Sequence, residues 1–293
     1  MNKIKFTTKF GTAEISDSGI STIDGESRML WLNDIDANSG NMRLNTIQPL
    51  EMPGQRVLSA VPSECTIVLS IAFAPIYISA NEKICTGQSG MDLLRREVMM
   101  RFPLGISGTL EYTNANGTYT ITARADETPV ITVRDGWLCE AKVYLTADYP
   151  YWCKPCTLPK GTAEPGNDAV MVARESGDIA SPVMIEITCI ETVSGSGTLF
   201  TFKEENGNFK KIDFVRGLEA GEKLKVNLMY NNDFSVMYHT NSMSGYGRAN
   251  GFIYLTEYCV FPENMPGGSV FSLSTVSGKL EAEVTCFNLF LAI

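Results

Sequence analysis

Apolar positions recur at every second residue along most of this chain, and one stretch changes to a helical period. Met91, Leu94 and Val98 stand at i, i+3 and i+7 with Asp92, Arg95 and Arg96 between them, which predicts a short amphipathic helix over 91–101. Ser89 with Asp92 three residues on fits a capping box. Phe102-Pro103 should end the helix, because the residue before proline disfavours the α region. Two strand patterns follow, 108–113 and 118–123. Leu110 and Tyr112, then Tyr119, Ile121 and Ala123, alternate apolar around an Asn116-Gly117 turn, so this reads as a hairpin. A further strand opens at Trp137, with Val143, Leu145 and Ala147 on one face, and runs toward Asp148-Tyr149-Pro150-Tyr151-Trp152.

Ahead of this stretch, short strands surround turns at Asp17-Ser18-Gly19 and Asp24-Gly25, and 29–32 is an apolar strand core. Residues 33–40 are predicted as a polar, solvated loop. Residues 48–56 form a second turn region, the base of an extended arm. The run 66–73 is apolar at nearly every position, as expected of a strand that is central or buried on both faces. Beyond it, Pro155, Pro159, Gly161, Pro165 and Gly166 cluster without periodicity, and 154–168 is predicted as a linker between domains 1–153 and 169–293. The second domain is strand after strand. Val183, Ile185, Ile187 and Cys189 alternate with polar neighbours; 199–203 and 209–214 flank Asn206-Gly207. Leu224, Val226, Leu228 and Tyr230 form one face, 235–238 and 270–273 follow, and Leu280, Ala282 and Val284 oppose Lys279, Glu281 and Glu283. The fold class is therefore all-β with one short helix, the second half being a sandwich with one buried face per sheet.

Composition narrows the functions. The 293 residues carry a net charge of −9, which argues against sequence-specific nucleic-acid binding, since gripping phosphates needs a basic face. No apolar run is long enough to span a bilayer, and Met1 to Phe6 has no apolar segment behind its basic residues, so synthesis and retention in a cytosol are expected. The eight cysteines then read as small buried apolar groups, not as a disulfide framework. Cys153-x-x-Cys156 lacks a second ligand pair for zinc and a following helix for thioredoxin-type chemistry.

Reactive constellations are missing from the pattern. His239 is the single histidine; it lies beside the Gly/Ser/Asn loop 241–251 and is read as a surface residue with no nucleophile to serve. Asp34-x-Asp36-x-Asn38 has neither the glycine nor the terminal glutamate of a calcium loop. The carboxylates Glu204, Glu205, Glu219 and Glu222 sit at turns, where charge is normally solvated. Asn116-Gly117-Thr118 is a hairpin turn before it is a glycosylation site. Tyr246 is the one plausible exposed stacking group for a sugar in the second half, where alternation favours strand and core positions for the tyrosines. No catalytic, metal or cofactor residue is assigned, no cofactor is expected, and ligand-binding residues stay unassigned.

The order of these features resembles the distal tail proteins of long-tailed bacteriophages, the hub at the tip of the tail tube. Pro53-Gly54 precedes the 67–73 strand; the helix and Phe102-Pro103-Leu104 follow. Then come Gly108-Thr109-Leu110-Glu111-Tyr112 and Gly117-Thr118-Tyr119-Thr120-Ile121, and last the Pro150-Tyr151-Trp152 corner. That hairpin is similar to the family's "G-x-L-x-Y … Y-x-I"; Phe102 abuts Pro103 where the family has an intervening Asn. In the second half, Leu218-Glu219-Ala220-Gly221-Glu222-Lys223-Leu224-Lys225-Val226 is similar to the "L-x-x-G-E-x-L-x-I-D" strand of a galectin-like sandwich, with Asn227 for Asp. Pro262 to Gly268 stands where "L-x-P-G-x-N" belongs.

The resemblance implies a β-sandwich-like, ring-forming first domain whose region 45–61 is an arm locking neighbours together, and a galectin-like second domain. It implies a homo-oligomeric ring, a hexamer, that meets the tail tube protein and docks tail-associated and receptor-binding proteins. The place implied is the virion tail, assembled in a bacterial cytoplasm, with no catalysis and no membrane insertion. Two other readings stand beside it: a lectin-like module binding host cell-surface glycan, and a glycan-processing enzyme with an appended sandwich.

Overall fold

The computed structural model describes the chain apart from residues 1, 20, 38–41, 48–55, 75, 79–83, 135–137, 195–197, 204–208, 215, 228–234, 241, 249–252, 256–262 and 292. It divides into two compact units, Met1–Cys153 with Leu291–Ile293, and Lys154–Phe290.

In the first unit an antiparallel sheet runs from Glu26–Arg28 through Ser21–Ile23, Gly11–Ser16, Lys3–Thr8, Ser107–Asn114 and Gly117–Ala125 to Leu138–Ala147, Cys65–Phe73 and Leu30–Asp36. Val130–Arg134 pairs with the first half of Leu138–Ala147. Alternation places one face inward: Ile4 and Phe6, Ala13 and Ile15, Leu110 and Tyr112, Tyr119, Ile121 and Ala123 are all buried. Each large apolar side chain so removed from water contributes about 1.5–3 kcal/mol. Cys65–Phe73 is paired on both sides and ends in a fully buried Ile71-Ala72-Phe73, which accounts for its continuous apolar run.

Turn chemistry fixes register. Ile23 pairs with Glu26, leaving Asp24 and Gly25 as a two-residue loop, and both have positive φ (49° and 84°), the type I′ geometry that matches strand twist. In the later hairpin Asn114 pairs with Gly117, so the loop residues are Ala115 and Asn116, one position before the pair the sequence suggests. The Asn114 side-chain oxygen accepts the Asn116 N–H at 2.8 Å, an Asx turn that holds the loop there.

The helix spans Gly87–Arg101 and buries Gly90, Met91, Leu94 and Val98, the stripe read from sequence. Its start differs. Thr86, the last residue of strand Ile84–Thr86, is the cap and makes no side-chain cap bond. Ser89 therefore lies inside the helix, and Asp92 accepts from Gln88 Nε2 at 2.8 Å instead of completing a capping box. Pairing of Ile84–Thr86 with Ile76–Ile78 delivers the chain to the helix three residues early. Residues 33–36 are a second correction: they are not loop but the end of strand Leu30–Asp36, paired through Asp34, Ile35 and Asp36 to Ser70, Leu69 and Val68. A bulge between Leu32 and Asp34 lets polar residues continue the ladder.

Two arginines tie the helix to the sheet. Arg28, buried, donates from Nε to Glu97 Oε2 at 2.8 Å and from Nη2 to Glu97 Oε1 at 3.0 Å, and also meets Glu26 at 2.6 Å. Arg101 pairs with Asp24 and donates to the Phe10 carbonyl, while Asp24 accepts the Thr12 N–H at 2.9 Å. Glu97→Ala would take both of these charge-assisted bonds from the buried Arg28 guanidinium. We expect a loss of about 3 kcal/mol, read as a lower urea midpoint by tryptophan fluorescence; a change under about 0.5 kcal/mol would contradict this role.

Met42–Ile47 and Arg56–Pro62 form a two-stranded antiparallel ladder that is a separate sheet among the described residues. The region 45–61 expected as an arm thus has two paired strands, and its tip, 48–55, lies outside the described residues, as do Trp137 and the Asn206-Gly207 turn.

The second unit is a sandwich. One sheet is ordered Gly161–Ala163, Lys279–Phe290, Ser181–Glu191, Lys223–Asn227, Ser235–His239, Gly247–Arg248. The other is Ala169–Ala173, Ser269–Ser274, Thr198–Lys203, Phe209–Phe214, Ile253–Leu255. Val183, Ile185, Ile187, Leu224, Val226, Val236, Leu280, Ala282 and Val284 of the first close on Met171, Phe200, Ile212, Phe271 and Leu273 of the second. The proline-rich stretch 154–168 is not bare chain. Strand Trp152–Thr157 continues into it, Leu158 is buried and donates its N–H to the Val284 carbonyl, and Gly161–Ala163 is paired with Lys279–Phe290. Pro155 lies within strand Trp152–Thr157, so the prolines of this stretch do not exclude strands from it.

Candidate assembly surfaces

The residues that carry the family resemblance have identifiable tasks. Gly108 is required by close approach: a Cβ there would lie 2.6 Å from the Thr7 carbonyl oxygen. Leu110, Tyr112, Tyr119 and Ile121 fill the first unit's interior, with Tyr112 and Tyr119 paired across the hairpin. Trp152 is 1% exposed and meets Tyr112 edge-on, ring centroids 6.4 Å apart. Phe102, at the helix end, stacks on Phe6 at 5.2 Å. In the second unit Leu218, Leu224 and Val226 are core, and Gly221 adopts φ 89° while its N–H bonds the Cys189 carbonyl. Glu222 departs from expectation. It is not a solvated turn carboxylate but buried, its Oε2 accepting the Glu219 N–H at 2.9 Å, so the glutamate of this motif closes a turn.

The chemistry-bearing residues do not converge among the described residues. No group of three or more His, Cys, Asp or Glu there could hold a metal ion. Asp34 and Asp36 lie on a strand, and Asn38 is outside the described set. Cys153 and Cys156 share one strand three positions apart, which directs them to opposite faces. Burial pushes the Cys153 thiol up to about 11, a poor nucleophile and a poor ligand at neutral pH. His239 is not a plain surface residue: it ends strand Ser235–His239 half-buried, its ring 5.5 Å from that of Tyr246, with Nδ1 buried and unpartnered among the described residues. No hydroxyl or thiol nucleophile is bonded to it among the described residues. Tyr246 is exposed beside it.

Burial also drives Cys286 up to about 12, with the neighbouring Cys156 thiol adding to the rise. A thiol raised on folding stabilises fully below its unfolded value of 9.0 and loses that contribution as pH climbs toward the folded value. Stability should therefore fall between about pH 9 and 12, and Cys286→Ala should flatten that fall. A chemical-denaturation series across the range checks it; identical alkaline slopes in both proteins would contradict the assignment.

What the described surface offers is contact. The two-stranded ladder of Met42–Ile47 and Arg56–Pro62 pairs with no other strand among the described residues. The helix and its flanks expose apolar groups, Met99, Met100, Leu104 and Ile84, each between 44 and 63% exposed. Sequence reading passed over Met99 and Met100, although they break the i, i+3, i+7 stripe as apolar residues on the polar face; that break was the available signal.

No family model matches the chain, and no curated protein matches it. Solved structures do. The SPP1 Dit (gp 19.1) protein, described as a paradigm of the hub adsorption apparatus in phages infecting Gram-positive bacteria, aligns over 99% of each chain at a TM-score of 0.57 and 10% identity. A chain of the phage P2 baseplate in its activated conformation with calcium aligns over 98% of each chain at 0.49 and 10% identity. The corresponding strontium structure aligns over 97% of this chain and 98% of its own at 0.48, also at 10%. The first match shows a shared fold along the whole of both chains; the other two add nothing further to the argument.

Proposed function

We propose that this protein is a structural hub of a phage tail tip: copies of the first unit close into a ring at the distal end of the tail tube, and the second units dock receptor-binding or baseplate proteins. The observation that carries the reading is the fold likeness to the SPP1 hub protein along the whole of both chains. The separate two-stranded ladder supports it, because edges left unpaired among the described residues are ones that a neighbouring subunit can extend. The closed arrangement expected is cyclic, six copies related head to tail. Its net charge of −9 suits a conduit that DNA must pass without adhering. In this reading the chain performs no catalysis. Its tasks are to recognise itself, the tube above and the proteins around it.

Negative-stain images of the purified protein test this. Class averages should show rings with six-fold symmetry and peripheral lobes from the second units. Uniformly small single-chain particles, with or without purified tube protein, would contradict the proposal.

A further inference from the structure

Ala169–Ala173 ends the five-stranded sheet of the second unit: Ser269–Ser274 pairs one side of it, and no strand among the described residues pairs the other. Such edges are usually blunted by lysine, proline or a bulge, yet all five residues, Ala169-Val170-Met171-Val172-Ala173, are apolar. Ala169, Met171 and Ala173 point into the core, leaving Val170 and Val172 on the outer face at 59 and 47% exposure. Val270, directly opposite Val172, is 41% exposed and widens the same patch. Asp168 and Arg174 flank the strand, both exposed and neither in an ion pair among the described residues.

We infer that this edge pairs antiparallel with the same edge of a second copy, with Met171 opposite Met171 about a two-fold axis. That register is written into the charges. It sets Asp168 against Arg174 of the second copy, Arg174 against Asp168 of the second copy, and Val170 against Val172 in both directions, all on the outer face. Shifting by two residues in either direction loses both charge pairs, so the strand is self-complementary in one alignment. The contact is isologous and cannot join neighbours around a cyclic ring; it links two unassembled chains or two rings. Five residues a side make a small interface, one that forms at high protein concentration.

Charge reversal in the full chain tests the inference. In Asp168→Arg, and separately in Arg174→Asp, both cross-strand pairs become repulsive, and sedimentation equilibrium should show two-fold association at least about 10-fold weaker than in the parent. An equimolar mixture of the two variants should recover it, because each arginine then faces an aspartate. The double variant carrying both reversals should recover it alone, which also shows that neither exchange damages the fold. Association unchanged by the single reversals, or a mixture no more associated than its components, would overturn the inference. Failure to form rings with this charge pattern intact would count against the hub and leave the edge pairing standing; rings without the pattern would do the reverse.

Discussion

Trp152→Ala will lower the stability of the first unit by about 3–5 kcal/mol, the range for emptying a large aromatic site in a packed core. Trp152 is 1% exposed, it meets Tyr112 edge-on, and it is the last large side chain before the chain passes into the second unit. Its Nε1 is buried without a partner among the described residues, so there the indole contributes volume and contact, not a hydrogen bond. The graded test follows. Trp152→Phe removes the unsatisfied donor along with some volume, and the two effects oppose each other; we expect a cost of about 1–2 kcal/mol. All three tryptophans, Trp31, Trp137 and Trp152, lie in the first unit, so emission from the remaining two reports that unit's urea transition selectively. A cost below about 1 kcal/mol for the alanine variant would show that the corner is not a packing anchor.

Removal of residues 45–61, closed by a short glycine-serine link, will abolish ring assembly while leaving the first unit folded. The ladder between Met42–Ile47 and Arg56–Pro62 belongs to no larger sheet among the described residues, so its loss takes no strand from the core. If the arm supplies the inter-subunit pairing, subunit affinity should drop by at least about 100-fold, close to 2.7 kcal/mol per contact. Size-exclusion chromatography with light scattering reads the assembly and circular dichroism reads the fold. Intact assembly in the deletion variant would refute the arm's role; a loss of β signal would move the region into the fold itself.

Where the chain alternates strictly, sequence and structure agree residue by residue: Leu280, Ala282 and Val284 are buried and Lys279, Glu281 and Glu283 are not, because a period of two leaves a half-buried strand one choice of face. Asp24-Gly25 was legible for the same local reason, since few dipeptides accept two positive φ angles. What stayed hidden depends on partners distant in sequence. Asp34 and Asp36 read as loop by propensity, but the strand Cys65–Phe73 offers them a ladder. The prolines of 154–168 mask two strands whose partner, Lys279–Phe290, lies more than a hundred residues on. Glu222 looked solvated because nothing local announces that its carboxylate turns back to the Glu219 N–H. The assembly surfaces were half legible. The arm came from its place in an order of motifs that resembles the tail-hub family, whereas the Asp168 to Arg174 edge needed the sheet order to show that one side is unpaired among the described residues.

The central claim is that this chain works by closing on copies of itself, and native mass spectrometry of the purified protein measures that directly. A dominant six-chain species, or a multiple of six, with arm deletion reducing it to single chains, is the expected spectrum. Single chains alone, pairs alone, or an open-ended ladder of sizes in the parent protein would contradict it.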